Sequence, residues 1–151
     1  MNPLVILRET VNDTAKLNDL ATTVWARLVA EYPEWEHYFG VLEGGDLEVA
    51  IPAPSGSKAG HLVISTNLGE DRWIRYSHPR MVYSVDDDDE MIRIIQCLLA
   101  EKALFAVTMK GEEWAGTTLL RPSDSPELEP GQMVKIVSWT GALDREECFQ
   151  S

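Results

Sequence analysis

The chain is short of positive charge, of cysteine and of long apolar runs, and each shortage removes a class of protein. With 13 Lys and Arg against 25 Asp and Glu, the formal net charge is -12 over 151 residues. Nucleic acid and anionic membrane surfaces would repel such a chain before contact formed, whereas a cationic partner would be attracted. Every apolar run is broken by charge far below the roughly 20 residues that cross a bilayer, so no membrane segment is expected. The 2 cysteines, Cys97 and Cys148, are expected to stay as free thiols, and Cys97 lies within a helical pattern where a thiol behaves as a small hydrophobe. The 3 histidines, His37, His61 and His78, share no i, i+3 or i+4 spacing, which leaves no local zinc motif. There is no G-x-S-x-G elbow, no phosphate-binding glycine loop before Lys-Ser or Lys-Thr, and no G-x-G-x-x-G after a strand. A calcium loop fails as well, because Met91 stands at the glycine place and Cys97 at the final ligand place. No catalytic residue, metal or cofactor is expected.

What is present is enough for a core. Apolar residues make up 44% of the chain, with 5 Trp, 4 Tyr and 3 Phe, and the length suits one domain over residues 1–151. Near the start, Leu4 to Leu7 is followed by Arg8 and Glu9, too short for a secretory signal, so a cytoplasmic location is expected.

Leu17, Leu20, Ala21, Val24, Trp25 and Leu28 fall on one face of a helix predicted over about 12–32, capped by Thr10 or Asn12 with Asp13 beside the helix dipole. Pro33 ends it. An aromatic connector, Glu34 to Gly40, leads to a strand at Asp46 to Ile51, where Leu47, Val49 and Ile51 alternate with polar residues. His61 to Thr66 and Arg72 to Ser77 read as a hairpin closed by Asn67 to Glu70. Met91, Ile92, Ile95, Leu98 and Leu99 mark a second helix over about 85–102. Leu104 to Met109 and Glu113 to Leu120 form another hairpin around Lys110-Gly111, and Met133 to Thr140 adds a sixth strand after the Pro- and acid-rich loop Arg121 to Gly131. The order α-βββ-α-βββ predicts an α+β fold, an antiparallel sheet of about six strands with two main helices packed on it.

Asp86, Asp87, Asp88, Asp89 and Glu90 open the second helix. One or two carboxylates suffice to complement a helix start, at about 0.3–1 kcal/mol each, while five in succession repel one another. The run therefore reads as a solvated helix start, a docking surface for a basic partner, or a cation site. Arg72, Arg75, His78 and Arg80 form a basic cluster able to hold a carboxylate or phosphate, or to pair with the chain's own acids. Trp73, Trp114 and Trp139 lie on three predicted strands, as core residues or as a recognition platform.

Gly45 to Ile51 with its following Pro-rich loop, Leu62 to Thr66, the strand ending in His78, and Ser138-Trp139-Thr140-Gly141-Ala142-Leu143-Asp144 resemble the small immunity proteins that accompany bacterial polymorphic and contact-dependent toxins. Where such sequences carry a second histidine two positions after His78, this chain has Arg80, so no histidine-pair site is inferred. The resemblance implies a non-catalytic inhibitor covering the active region of one cognate toxin domain. A basic, nuclease-like domain fits the charge. The residues expected to meet it are Asp86 to Glu90, Glu70, Asp71, Glu112 and Glu113, with Trp73 or Trp139 as an anchor. Two rival expectations stand beside it: a small enzyme or metabolite-binding domain using Arg72, Arg75, His78 and Arg80 on an anionic ligand, and a structural subunit forming a homo-oligomer.

Overall fold

The computed structural model describes residues 14–150. The caps expected at Thr10, Asn12 and Asp13 lie outside these residues. A 3-10 turn at Thr14–Lys16 precedes helix α1, Asp19–Glu31, so the helix begins later than its apolar spacing predicts. Asn18 is the reason: its side chain accepts from the Ala21 amide at 2.9 Å, while its own amide donates to Gly45. Those bonds turn the chain at Asn18 and satisfy a free amide of the first helical turn. At the other end the Tyr32 amide donates to Leu28 before Pro33 breaks the helix.

The aromatic connector becomes a 3-10 helix, Pro33–Tyr38, followed by a short strand β1, Phe39–Val41. Trp35 is buried and stacks on Tyr32, and Phe39 stacks on Trp25 of α1 with ring centroids 4.5 Å apart. Strands β2 (Leu47–Pro52), β3 (His61–Asn67), β4 (Asp71–Arg75) and β5 (Val82–Val85) complete a five-stranded antiparallel sheet in chain order. Helix α2, Asp88–Leu99, follows, with Asp87 accepting from the Glu90 amide as its cap. Strands β6 (Leu104–Lys110), β7 (Glu113–Leu120), β8 (Gln132–Val137) and β9 (Arg145–Cys148) form a second antiparallel sheet in the order β7-β6-β8-β9.

The fold is α+β as the periodicities predict, but the single sheet of about six strands is two sheets of five and four. The additional strands β1, β5 and β9 have 3 or 4 residues each, too few to display an alternation.

Both helices lie on the inner face of the first sheet. Ala21, Val24 and Leu28 from α1 and Met91, Ile95 and Leu98 from α2 join Leu62, Ile64, Ile74 and Val85 in one cluster. Strand β6 links the sheets through its alternation. Phe105 and Val107 enter this main core together with Val137 and Trp139, while Leu104 and Ala106 point the other way, onto Val134 and Ile136. Leu128 from the Pro-rich loop covers that second cluster, and Arg145 fastens the loop by donating to the Asp124 and Pro122 carbonyls. Burying each aliphatic side chain contributes about 1.5–3 kcal/mol. No helix among the described residues is long and apolar enough to cross a membrane.

Candidate partner-binding surface

Asp46 organises one end of the molecule. Its side chain is buried, and its Oδ1 accepts from Asn18 Nδ2 at 3.0 Å, Thr66 Oγ1 at 2.9 Å and the Gly69 amide at 3.0 Å, while Oδ2 accepts from the Leu68 amide at 2.8 Å. Burial alone would raise this carboxyl, but the donors from Asn18, Gly69, Thr66 and Leu68 outweigh it and hold the group below the usual carboxylate range. The sequence pattern placed Asp46 on the polar face of a strand. It instead precedes β2 and turns inward, because Gly44 and Gly45 adopt positive φ there. One buried charge thus joins the start of α1, the start of β2 and the tip of the β3–β4 hairpin.

Around this end the carboxylates gather. The register pairs Arg72 with Val85, so Asp71 and Asp86 follow at the same end of neighbouring strands. Asp71, Asp86, Asp87 and Glu70 are exposed there. The acidic run is less free than its length implies. Asp87 caps α2, Asp88 receives the Arg72 Nε at 2.7 Å, and Asp89 pairs with Arg27 of α1 at 2.7 Å. Part of the charge excess is therefore spent on fixing α2 to β4 and to α1.

The basic cluster does not converge. Arg72 shares the inner face of β4 with the buried Ile74 and is engaged by Asp88 and by the Asp86 carbonyl. Arg75, three positions on, faces the opposite side of the sheet. Arg80 lies over the Trp114 ring, 5.0 Å from its centroid. His78 Nδ1 accepts from the Arg80 amide, and burial, with Lys135 and Arg80 nearby, lowers its pKa, which favours the neutral imidazole.

Trp139, named from sequence as an anchor, is 8% exposed and packs beside Tyr76 in the main core. Its backbone carbonyl accepts from Ser57, and Ser138 before it is buried, so the chain after β8 turns inward. Trp73 stands half-buried on the outer face of the first sheet, between Ser65 and Ser84. Glu112 and Glu113 are exposed at the β6–β7 turn beside Trp114 and Arg80. Because Arg80 lies in the β4–β5 connection, this pair sits at the opposite end of the first sheet from Asp71 and Asp86.

Two features escaped the sequence reading. Leu68, at the hairpin tip, is 79% exposed and has φ +55°. A groove of about 290 Å³ between α2 and β7 is lined by Ile94, Leu119 and Leu120 together with Arg93, Lys102 and Arg121, and Glu90 is its one acid. These cations are far apart in sequence, and only the packing of α2 against the second sheet assembles them.

Among the described residues, no group of His, Cys, Asp and Glu could hold a metal ion. Comparison with protein-family models, curated proteins and solved structures finds no match.

Proposed function

We propose that the protein is a non-catalytic inhibitor of the immunity type, which binds and neutralises a cationic, nuclease-like toxin domain through its acidic end. The observation that supports this most is the gathering of Glu70, Asp71, Asp86 and Asp87 on adjoining strand and helix ends, on a framework fixed by Asp46 and by the Arg72–Asp88 pair. Exposed charges on a rigid support steer a basic partner and lose little side-chain and loop freedom on docking. Glu112 and Glu113, at the other end, are left outside this interface.

The test is affinity capture from a lysate of the source organism at low and moderate salt, comparing wild type with a Glu70→Lys/Asp71→Lys/Asp86→Lys variant, which leaves the Asp87 cap of α2 in place. The expected result is one basic domain retained in near-equal amount by the wild type and lost by the variant. Equal retention by both would remove the acidic end from the interface, and retention of no basic domain would overturn the reading.

A further inference from the structure

The exposed Leu68 and the cation-lined groove have complementary chemistry. An aliphatic residue at φ +55° is strained, since its Cβ crowds the backbone, and at 79% exposure it contributes nothing to the core. The geometry persists because the buried Asp46 carboxylate holds the Leu68 and Gly69 amides. The hairpin thus presents one apolar side chain on a fixed loop, followed by the exposed carboxylates of Glu70 and Asp71. Strain retained at an exposed apolar tip is the mark of a contact element.

The groove is its counterpart. Arg93 and Lys102 have no carboxylate within ion-pair distance among the described residues, and Arg121 pairs only with the neighbouring Asp124. Three cations and one acid around an apolar lining give the groove a net positive charge on a chain of net charge -12, and they match an aliphatic side chain flanked by acids. We propose that the chain self-associates by seating the hairpin tip of one copy in the groove of a second, with Leu68 on Ile94, Leu119 and Leu120, and Glu70 and Asp71 against Arg93 and Lys102. Repulsion between the two acidic bodies is screened beyond about 8 Å at physiological salt, whereas the partly desolvated contacts in the groove are screened less. Reciprocal seating would close a two-fold dimer, and one-way seating would build an open chain.

This contact uses Glu70 and Asp71, which the proposed toxin interface also uses, so the two compete, and the purified protein alone tests it. Sedimentation velocity at physiological salt over rising concentration should show the wild type associating reversibly. Leu68→Asn, which suits the left-handed backbone, should keep or raise the melting temperature yet weaken association by about tenfold or more, the loss implied by removing one buried aliphatic side chain. Arg93→Glu/Lys102→Glu should also sediment as a monomer. An equimolar mixture of the two variants should recover a heterodimer, since one supplies the groove and the other the tip. A wild type that stays monomeric throughout, a Leu68→Asn protein that associates like the wild type, or a mixture that remains monomeric would each overturn the proposal.

Discussion

Replacing Asp46 by Asn tests whether a single buried carboxylate holds the acidic end together. The amide keeps an oxygen for Asn18, Thr66 and Gly69 but turns its NH2 toward the Leu68 amide, now 2.8 Å from Oδ2. One charge-assisted bond becomes two opposed donors, and the remaining bonds lose their charge. Hydrogen bonds to ionised groups contribute about 1.5–3 kcal/mol against about 1 kcal/mol for neutral ones. Taking the low end, because the site lies close to solvent, the expected loss is about 3 kcal/mol. For a chain of this size that lowers the melting temperature by about 6–12 °C. Urea denaturation followed by tryptophan fluorescence measures it, and pH supplies a second axis. The native carboxyl titrates below its unfolded value. Its contribution is therefore complete above the ordinary carboxylate range and disappears as pH falls through the lowered native value. The gap between wild type and Asp46→Asn should be widest at neutral pH and should close on acidification below about pH 4. No gap at neutral pH, or one that fails to narrow in acid, would refute the reasoning.

Arg72→Ala should cost about 2–4 kcal/mol in the same assay, because it strands Asp88 in a half-buried contact, and Lys should rescue it poorly since it cannot also reach the Asp86 carbonyl as the guanidinium does. Tyr76→Phe should leave stability unchanged or raise it by up to about 1 kcal/mol by calorimetry, since the buried hydroxyl has no hydrogen-bond partner among the described residues. Gly45→Ala should destabilise by about 2–4 kcal/mol. A Cβ there would lie 2.7 Å from the Lys16 carbonyl oxygen and 2.8 Å from the Asn18 nitrogen at φ +85°, and a fall in stability below that range would show that the α1 start moves aside.

How much was legible in the sequence depends on how many turns or pleats an element has in which to repeat. Helix α1 is long enough for Ala21, Val24, Trp25 and Leu28 to declare one buried face, yet its first residue follows from Asn18 bonding to Gly45, a contact between distant positions. Strand β3 was visible through Leu62, Ile64 and Thr66. Strand β9, Arg145–Cys148, was not: it carries three charged residues and is recruited by pairing with β8. The two-sheet arrangement was hidden in β6, whose consecutive buried residues Leu104 to Val107 read as a single apolar run although they face different clusters. At the surface, the acidic run was conspicuous, but its internal pairings depend on Arg27 and Arg72, which no local pattern links to it. The cation-lined groove had no sequence signal at all.

The margins of the two sheets bear on aggregation. Strand β1 spans only 3 residues, and β5 and β7 lie together, with the Thr117 hydroxyl donating to the Arg80 carbonyl. Among the described residues that leaves β9 as the unpaired margin, and there Arg145, Glu146 and Glu147 occupy three of its 4 positions. A growing cross-β stack would have to align identical charges at every layer, which opposes recruitment of further chains. Neutralising Glu146, whose side chain takes no part in the Arg145–Glu147 pair or in the Arg145 bonds to the Pro-rich loop, would weaken the guard, and fibril formation would then start from β9.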